Sequence, residues 1–199
     1  MNNLNSDERL EKQMQFLIEI DKLKNIYRQT YVLHENRKEN DSEHSWHLAM
    51  FAFLLAEHSN QPVDILHVIK MVLIHDIVEI DAGDTYCYDT EGYKNKSERE
   101  QKAAQRLFNI LPDDQKDEIY ALWTEFEEMQ TPEAKFAASL DRLQPLSLNY
   151  QKDGLSWKEH DITVNQVVER NSHIANGSDK LWAYAESMIN DYHEKGILK

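Results

Sequence analysis

Apolar residues recur at three- and four-residue spacing along most of the chain, the period of an amphipathic helix. Ser6 ahead of Asp7 and Glu8 reads as a helix start with acids in the positive first turn. Leu10, Met14, Leu17, Ile18 and Asp21 then share a face and predict a helix to about residue 25. Residues 27–40 are polar and aperiodic and are expected to form a loop. Asp41-Ser42-Glu43 opens a second helix reaching about residue 58, apolar on most sides, which predicts the buried centre of a bundle. Pro62 opens a third, through Ile65, Val68, Ile69, Val72 and Leu73 to about residue 80. Residues 83–96, with Tyr86, Tyr88 and Tyr93, make a loop long enough to be a lid.

Ser97-Glu-Arg-Glu starts a fourth helix that stops before Leu111-Pro112, and another runs from 113 to about 129. Thr131-Pro132-Glu133 caps the next, in which Phe136, Leu140, Leu143 and Ser147 share a face. Residues 152–162 are expected to be a second loop, followed by helices near 163–174 and 178–195. No repeat or linker-like shift in composition interrupts this pattern. The expectation is one all-α domain over residues 1–199, a bundle of roughly eight helices. Its metal-site core would lie at about 16–150, with the helices of 163–195 packed on it.

Composition narrows the picture. The 199 residues hold only Gly 5 and Pro 4, too few for the tight turns of a sandwich or barrel. The formal net charge is −14, which repels nucleic acid polymers and anionic membrane surfaces at long range. The longest apolar run, residues 48–56, is far short of the ~20 residues a bilayer span requires. One cysteine, Cys87, excludes an internal disulfide, and the first residues lack a basic or apolar leader pattern. A cytoplasmic protein is expected.

A His-Asp dipeptide is unremarkable in a chain this rich in both residues, and two occur. His160-Asp161 lies in a polar stretch and reads as a solvated surface pair. His75-Asp76 ends the apolar run of residues 68–74, where unpaired polar groups are costly to bury. Glu79 follows within one helical turn, and Asp81 and Asp84 soon after. Acids this close repel unless a cation or protons intervene, so the segment is either a hydrated helix end or a cation site. His44 stands at the start of the second helix, and Asp141 lies between Leu140 and Leu143 on a helix that should face inward. A carboxylate there needs either Arg142 or a metal.

The order His44, His75-Asp76, Asp141 resembles the HD-domain metal-dependent phosphohydrolases. The blocks Ser42-Glu-His-Ser-Trp, His75-Asp-Ile-Val-Glu-Ile-Asp-Ala-Gly-Asp84 and Glu133-Ala-Lys-Phe-Ala-Ala-Ser-Leu-Asp141 are similar to one branch of that family. It holds the bacterial 5′-deoxynucleotidases and their eukaryotic HD-domain-containing relatives, and the similarity runs from about residue 16 to 150. The resemblance implies that His44, His75, Asp76 and Asp141 bind one divalent ion (Mn, Co, Zn, Ni, Fe or Mg). It also implies that Glu79 assists water attack, that Asp84 works beside the scissile phosphate, and that Arg28 contacts the substrate phosphate. A homodimer is implied as well. In the well-known bacterial nucleotidase a Trp after the arginine helps reject ribose; here the residue is Gln29.

Two imidazoles and two carboxylates suit such an ion and leave room for water and a phosphate oxygen. Charge on the phosphoryl group would be met by the metal and by Arg28, with Arg37 as a further substrate-binding candidate. Binuclear HD proteins place extra histidines between the His-Asp pair and the last Asp, and none lies between Asp76 and Asp141, which favours a single ion. The expected activity is release of phosphate from (deoxy)nucleoside 5′-monophosphates, small molecules rather than polymers. Two alternatives stand beside it. One is hydrolysis of guanosine tetraphosphate or a nucleoside triphosphate, which would need more cations than Arg28, Arg37 and Lys38 offer; the other is an inactive helical interaction module.

Overall fold

A computed structural model describes residues 6–89 and 91–199. The expected leader-free start, residues 1–5, lies outside them. Helix α1 (Ser6–Glu19) runs into a tighter 3₁₀ stretch, Ile20–Asn25. Residues 27–40 are not a loop: β1 (Tyr27–Tyr31) and β2 (Lys38–Asn40) form an antiparallel hairpin, paired Tyr27 to Asn40 and Tyr31 to Lys38. The run Tyr-Arg-Gln-Thr-Tyr has the aromatic and β-branched character of a strand, but Arg28 in the inward alternation hides its period.

Helix α2 (Asp41–Leu55) starts from a capping box, in which the Asn40 side chain accepts from Glu43 N–H and the Glu43 carboxylate accepts from Asn40 N–H. It is buried on one side only. Leu48 and Ala52 are in the core, whereas Trp46, Phe53 and Leu54 are 64%, 62% and 61% exposed. The centre belongs instead to α7 (Pro132–Gln151), which buries Phe136, Leu140, Leu143 and Leu146 among others. Thr131 caps α7 and Pro132 occupies its first turn, as the sequence pattern predicts.

Helix α3 is shorter than expected, Ile65–Ile74, because the Asp64 carboxylate accepts from Leu66 N–H and His67 N–H and fixes the start there. After Ile74 the backbone tightens. Ile77 N–H reaches Ile74 O and Glu79 N–H reaches Asp76 O, before the single turn of α4 (Glu79–Ala82). Bonds of that i→i+3 kind bring side chains three apart into register, here Asp76 and Glu79. Gly83 ends the turn at φ 74°, a left-handed value that favours glycine, with its N–H on Glu79 O.

Two more helices, α5 (Lys96–Phe108) and α6 (Asp113–Glu128), pack a smaller core of Ala104, Leu107 and Phe108 against Phe16, Ile77 and Val78. The larger core joins α2, α3 and α7 to α10 (Asp179–Glu194), and Ile74 touches both. Residues 152–162 are not wholly a loop, since α8 (Leu155–Glu159) sits within them and buries Trp157. Thr163 caps α9 (Val164–Asn171) and Ser178 caps α10. Among the described residues no helix is long and apolar enough to cross a membrane.

Candidate metal centre

Three separate elements bring their polar side chains to one buried place. The first turns of α2 deliver Asp41 and His44, the tightened stretch from the end of α3 to the start of α4 delivers His75, Asp76 and Glu79, and the middle of α7 delivers Asp141 and Gln144. His44 and Asp41 have no exposed surface at all. His44 Nε2 lies 3.0 Å from Asp141 Oδ1, and His75 Nε2 lies 3.1 Å from Asp76 Oδ1 and 3.7 Å from Asp141 Oδ1. Asp76 Oδ2 is 3.8 Å from His44 Nε2.

The far side of each ring decides its tautomer. His75 Nδ1 is 2.9 Å from the Val72 carbonyl, which can only accept. His44 Nδ1 is 3.0 Å from Gln144 Oε1, and the Gln144 amide is turned that way because its Nε2 donates to Glu39 at 2.7 Å. Both rings therefore carry their proton on Nδ1, and a neutral ring points a lone pair from Nε2 at the carboxylate oxygens. Lone pairs facing lone pairs in a dry site repel unless a cation sits among them. His75 Nε2, Glu79 Oε2 and both Asp41 oxygens are buried without a hydrogen-bond partner.

The titration behaviour has the same sense. Burial disfavours a proton on His75, yet the charges of Asp76 and Asp141 close to its Nε2 raise it to about 10. Burial raises Asp41 to about 8, helped by the Asp76 charge, and raises Glu79 well above the usual carboxylate range beside Asp76, Asp41 and Asp84. The cluster holds more negative charge than it can keep without protons or a metal. Ligand atoms of His44, His75 and Asp141 lie within 4.8 Å of one another, and so do those of Asp41, Asp76 and Glu79. Two imidazole nitrogens with carboxylate oxygens fit a divalent transition ion.

Arg28, on β1, leans into this cluster. Its Nη1 is 2.8 Å from Asp76 Oδ2 and 3.6 Å from Asp41 Oδ1, its Nη2 is 3.9 Å from Asp141 Oδ1, and its Nε is 4.0 Å from Glu39 Oε2. Burial opposes its charge, but Asp76 and Asp141 hold it firmly protonated. Arg37 is elsewhere. Its Nε lies 2.7 Å from Glu35 and its Nη2 2.7 Å from Glu43, it is largely exposed, and it is not a wall of the cavity described next. Glu35 in the hairpin turn and the capping Glu43 occupy its donors, away from the cluster.

A cavity of about 140 Å³ opens beside the cluster. Asp76, Glu79, Asp84 and Asp141 line it with Arg28, and Gln29 stands next to Arg28 in the wall with Lys38 bonded to its amide oxygen. The tyrosine loop forms a second wall through Tyr86, Tyr88 and Tyr93, held down by Arg99, which donates to Thr85 Oγ1 at 2.9 Å and Gly92 O at 3.1 Å. Arg142 does not pair with Asp141; it lines the cavity separately. Ser156, Trp157, Arg170 and Asn171 close the remaining side, so the C-terminal fifty residues contribute to the cavity wall. Sequence reasoning missed that wall, the buried Glu39 and Asp41, and Gln144. Gln144 carried one signal, a polar residue next to Leu143 on an inward-facing helix.

A family model described as an HD domain matches residues 20–182. The 5′-deoxynucleotidase HDDC2 of Bos taurus is 32% identical over 133 residues, covering 66% of this chain and 63% of that protein. This chain thus spans just under two thirds of the bovine protein's length. The Homo sapiens 5′-deoxynucleotidase HDDC2 is 30% identical over 146 residues, 73% of this chain and 70% of that protein. A crystal structure of a predicted metal-dependent phosphohydrolase from Magnetospirillum magnetotacticum MS-1 superposes with a TM-score of 0.93. It is 49% identical, over 98% of each chain.

Proposed function

The chain belongs to the HD-domain family, and from that premise we propose that it is a metal-dependent 5′-nucleotidase. It would hydrolyse (deoxy)nucleoside 5′-monophosphates to nucleoside and phosphate. The observation that carries this reading is the convergence of His44, His75, Asp76 and Asp141 with Arg28 at the wall of one cavity. Relatives named 5′-deoxynucleotidase support the substrate class.

His44, His75, Asp76 and Asp141 would hold one divalent ion, such as Mn, Co, Zn, Ni, Fe or Mg. When bound, the ion makes hydroxide available near neutral pH and draws charge from a phosphoryl oxygen. Arg28 supplies fixed positive charge where the phosphoryl oxygens gather it. Glu79 Oε2 is buried and unpartnered, and once a bound cation offsets the neighbouring acid charges that favour its protonated form it would be placed to take the proton of the attacking water. Asp84, also in the wall, would work beside the scissile phosphate. Tyr86 and Tyr88 offer an aromatic wall for the nucleoside, and Gln29 stands where sugar choice would be made.

We also read the chain as one domain, supported by Ile74 packing on both cores. A homodimer is supported by the exposed apolar face of α2, with Trp46, Met50, Phe53 and Leu54. A cytoplasmic location fits the single free cysteine. The test is phosphate release from a panel of deoxy- and ribonucleoside monophosphates with Mn²⁺, Co²⁺ or Zn²⁺ added. Release that disappears in Asp76→Ala is expected; no release from folded protein under any of the metals would overturn the reading. The deoxy-to-ribo ratio reads the effect of Gln29.

A further inference from the structure

The cavity holds two cations that the protein does not neutralise. Arg28 is engaged by Asp76, Asp41, Asp141 and Glu39, and Lys96 Nζ lies 2.5 Å from Glu100 Oε1. Arg142 and Arg170 line the same cavity from α7 and α9. Among the described residues neither makes an ion pair or a side-chain hydrogen bond. Arg142 Nε and Nη1 are shut off from solvent yet have no partner. Arg170 is near enough for its charge to act on Arg142. Asp141, one residue away, is turned to His44 and His75.

An unpaired guanidinium in a dry wall is costly, and a second one beside it adds repulsion. Such an arrangement is stable in use only if an anion arrives. Two forked guanidiniums present many donors and match the oxygens of a phosphate group, for which arginine is the preferred partner. Arg142 directly follows the proposed metal ligand Asp141, so an anion held there sits alongside the reacting centre. Arg170 approaches from the C-terminal segment, so the same anion would tie that wall to α7.

We infer that Arg142 and Arg170 form a phosphate-binding pair in the cavity wall, separate from Arg28. The phosphate comes either from the reacting group itself or from a second phosphate on the same nucleotide, an assignment that rests on the nucleotidase reading. The presence of the pair also supplies the cations that longer phosphate substrates require and that Arg28, Arg37 and Lys38 did not.

Titration calorimetry of inorganic phosphate into the metal-loaded full chain tests the pair without turnover. Arg170→Gln and Arg142→Gln are each expected to weaken phosphate binding about tenfold or more, with Arg170→Lys in between. Circular dichroism melting in phosphate-free buffer should show Arg142→Gln at least as heat-stable as the wild type, because an unpaired buried charge is gone. If Arg142→Gln does not fold, Arg170→Gln, on the more open α9, decides the matter. Unchanged phosphate affinity in the folded Gln variants would overturn the inference. Steady-state kinetics on Arg170→Gln then separates the sources. Equal rises in KM for a nucleoside 5′-monophosphate and a 3′,5′-bisphosphate assign the reacting group, and a larger rise for the bisphosphate assigns a second phosphate. A wild type that binds phosphate through the pair but turns over no nucleotide would remove the nucleotidase reading and leave the pair standing.

Discussion

His75-Asp76 and His160-Asp161 are the same dipeptide in two environments. Both histidines send Nδ1 to a backbone carbonyl a turn earlier, Val72 O at 2.9 Å and Ser156 O at 2.8 Å. The tautomer lock is therefore common to both. What differs is what arrives from elsewhere in the chain. His75 Nε2 meets Asp76 and Asp141 in a buried cluster that also receives His44 and Arg28. The His160 ring lies 4.5 Å from that of Tyr86, and Asp161 turns out to solvent at φ 51°, with Lys199 at 3.4 Å. A histidine next to an aspartate becomes part of a candidate metal cluster through α2 and α7, not through its own two residues.

The largest effect that breaks this comparison is removal of the buried carboxylate. Asp76→Ala should lose bound metal and at least about 10³-fold in phosphate release, whereas Asp161→Ala should keep both within a factor of about two. Metal content by inductively coupled plasma mass spectrometry, alongside phosphate release, checks the pair of variants. Next in size is Glu79→Gln, expected to retain metal but lower kcat by about 10²–10⁴-fold.

The lock on His44 can be tested separately. Gln144→Leu frees His44 Nδ1 and strands the buried Glu39, and should weaken metal binding about 10–100-fold in a competition titration with a chelator. Proton competition gives a comparable, graded effect. In the metal-free protein His75 is raised to about 10, so it carries a proton at neutral pH that the metal must displace. Apparent metal affinity should therefore fall as pH falls, by about tenfold per pH unit for that one proton. A flat profile between about pH 6 and 8 would contradict a histidine held protonated by its acids. The smallest expected effect is at the other dipeptide: Asp161→Gly relieves a left-handed backbone and should raise stability by about 0.5 kcal/mol in urea unfolding, without change in metal content.

Helices were legible because their apolar residues repeat at the helical period and their caps are chemical, as with Thr131-Pro132 and Thr163. The hairpin was not, since Arg28 and Glu39 occupy inward positions that a core strand gives to apolar residues. Helix α2 misled in the opposite sense: its apolar outer face, Trp46, Phe53 and Leu54, is exposed in the chain by itself. At the site, His75-Asp76 and Asp141 stood out as polar residues in apolar surroundings, but the set of four with His44 was legible only through the order of residues that resembles the HD-domain pattern. Gln144, Asp41 and Arg170 were not legible, because their roles depend on elements that meet only on folding. Arg37 was a further substrate-binding candidate beside Arg28, yet Arg28 sits on β1 and reaches the cluster, whereas Arg37 lies in the turn before β2 and is left with Glu35 and Glu43.

Anomalous diffraction from a crystal soaked in Mn²⁺ or Co²⁺ tests the central claim most directly. The account predicts one strong peak per chain, within about 2.0–2.5 Å of His44 Nε2, His75 Nε2 and a carboxylate oxygen each from Asp76 and Asp141. A peak seated instead on Asp41 and Glu79, or at His160-Asp161, or no peak in a crystal that has taken up the metal, would contradict it.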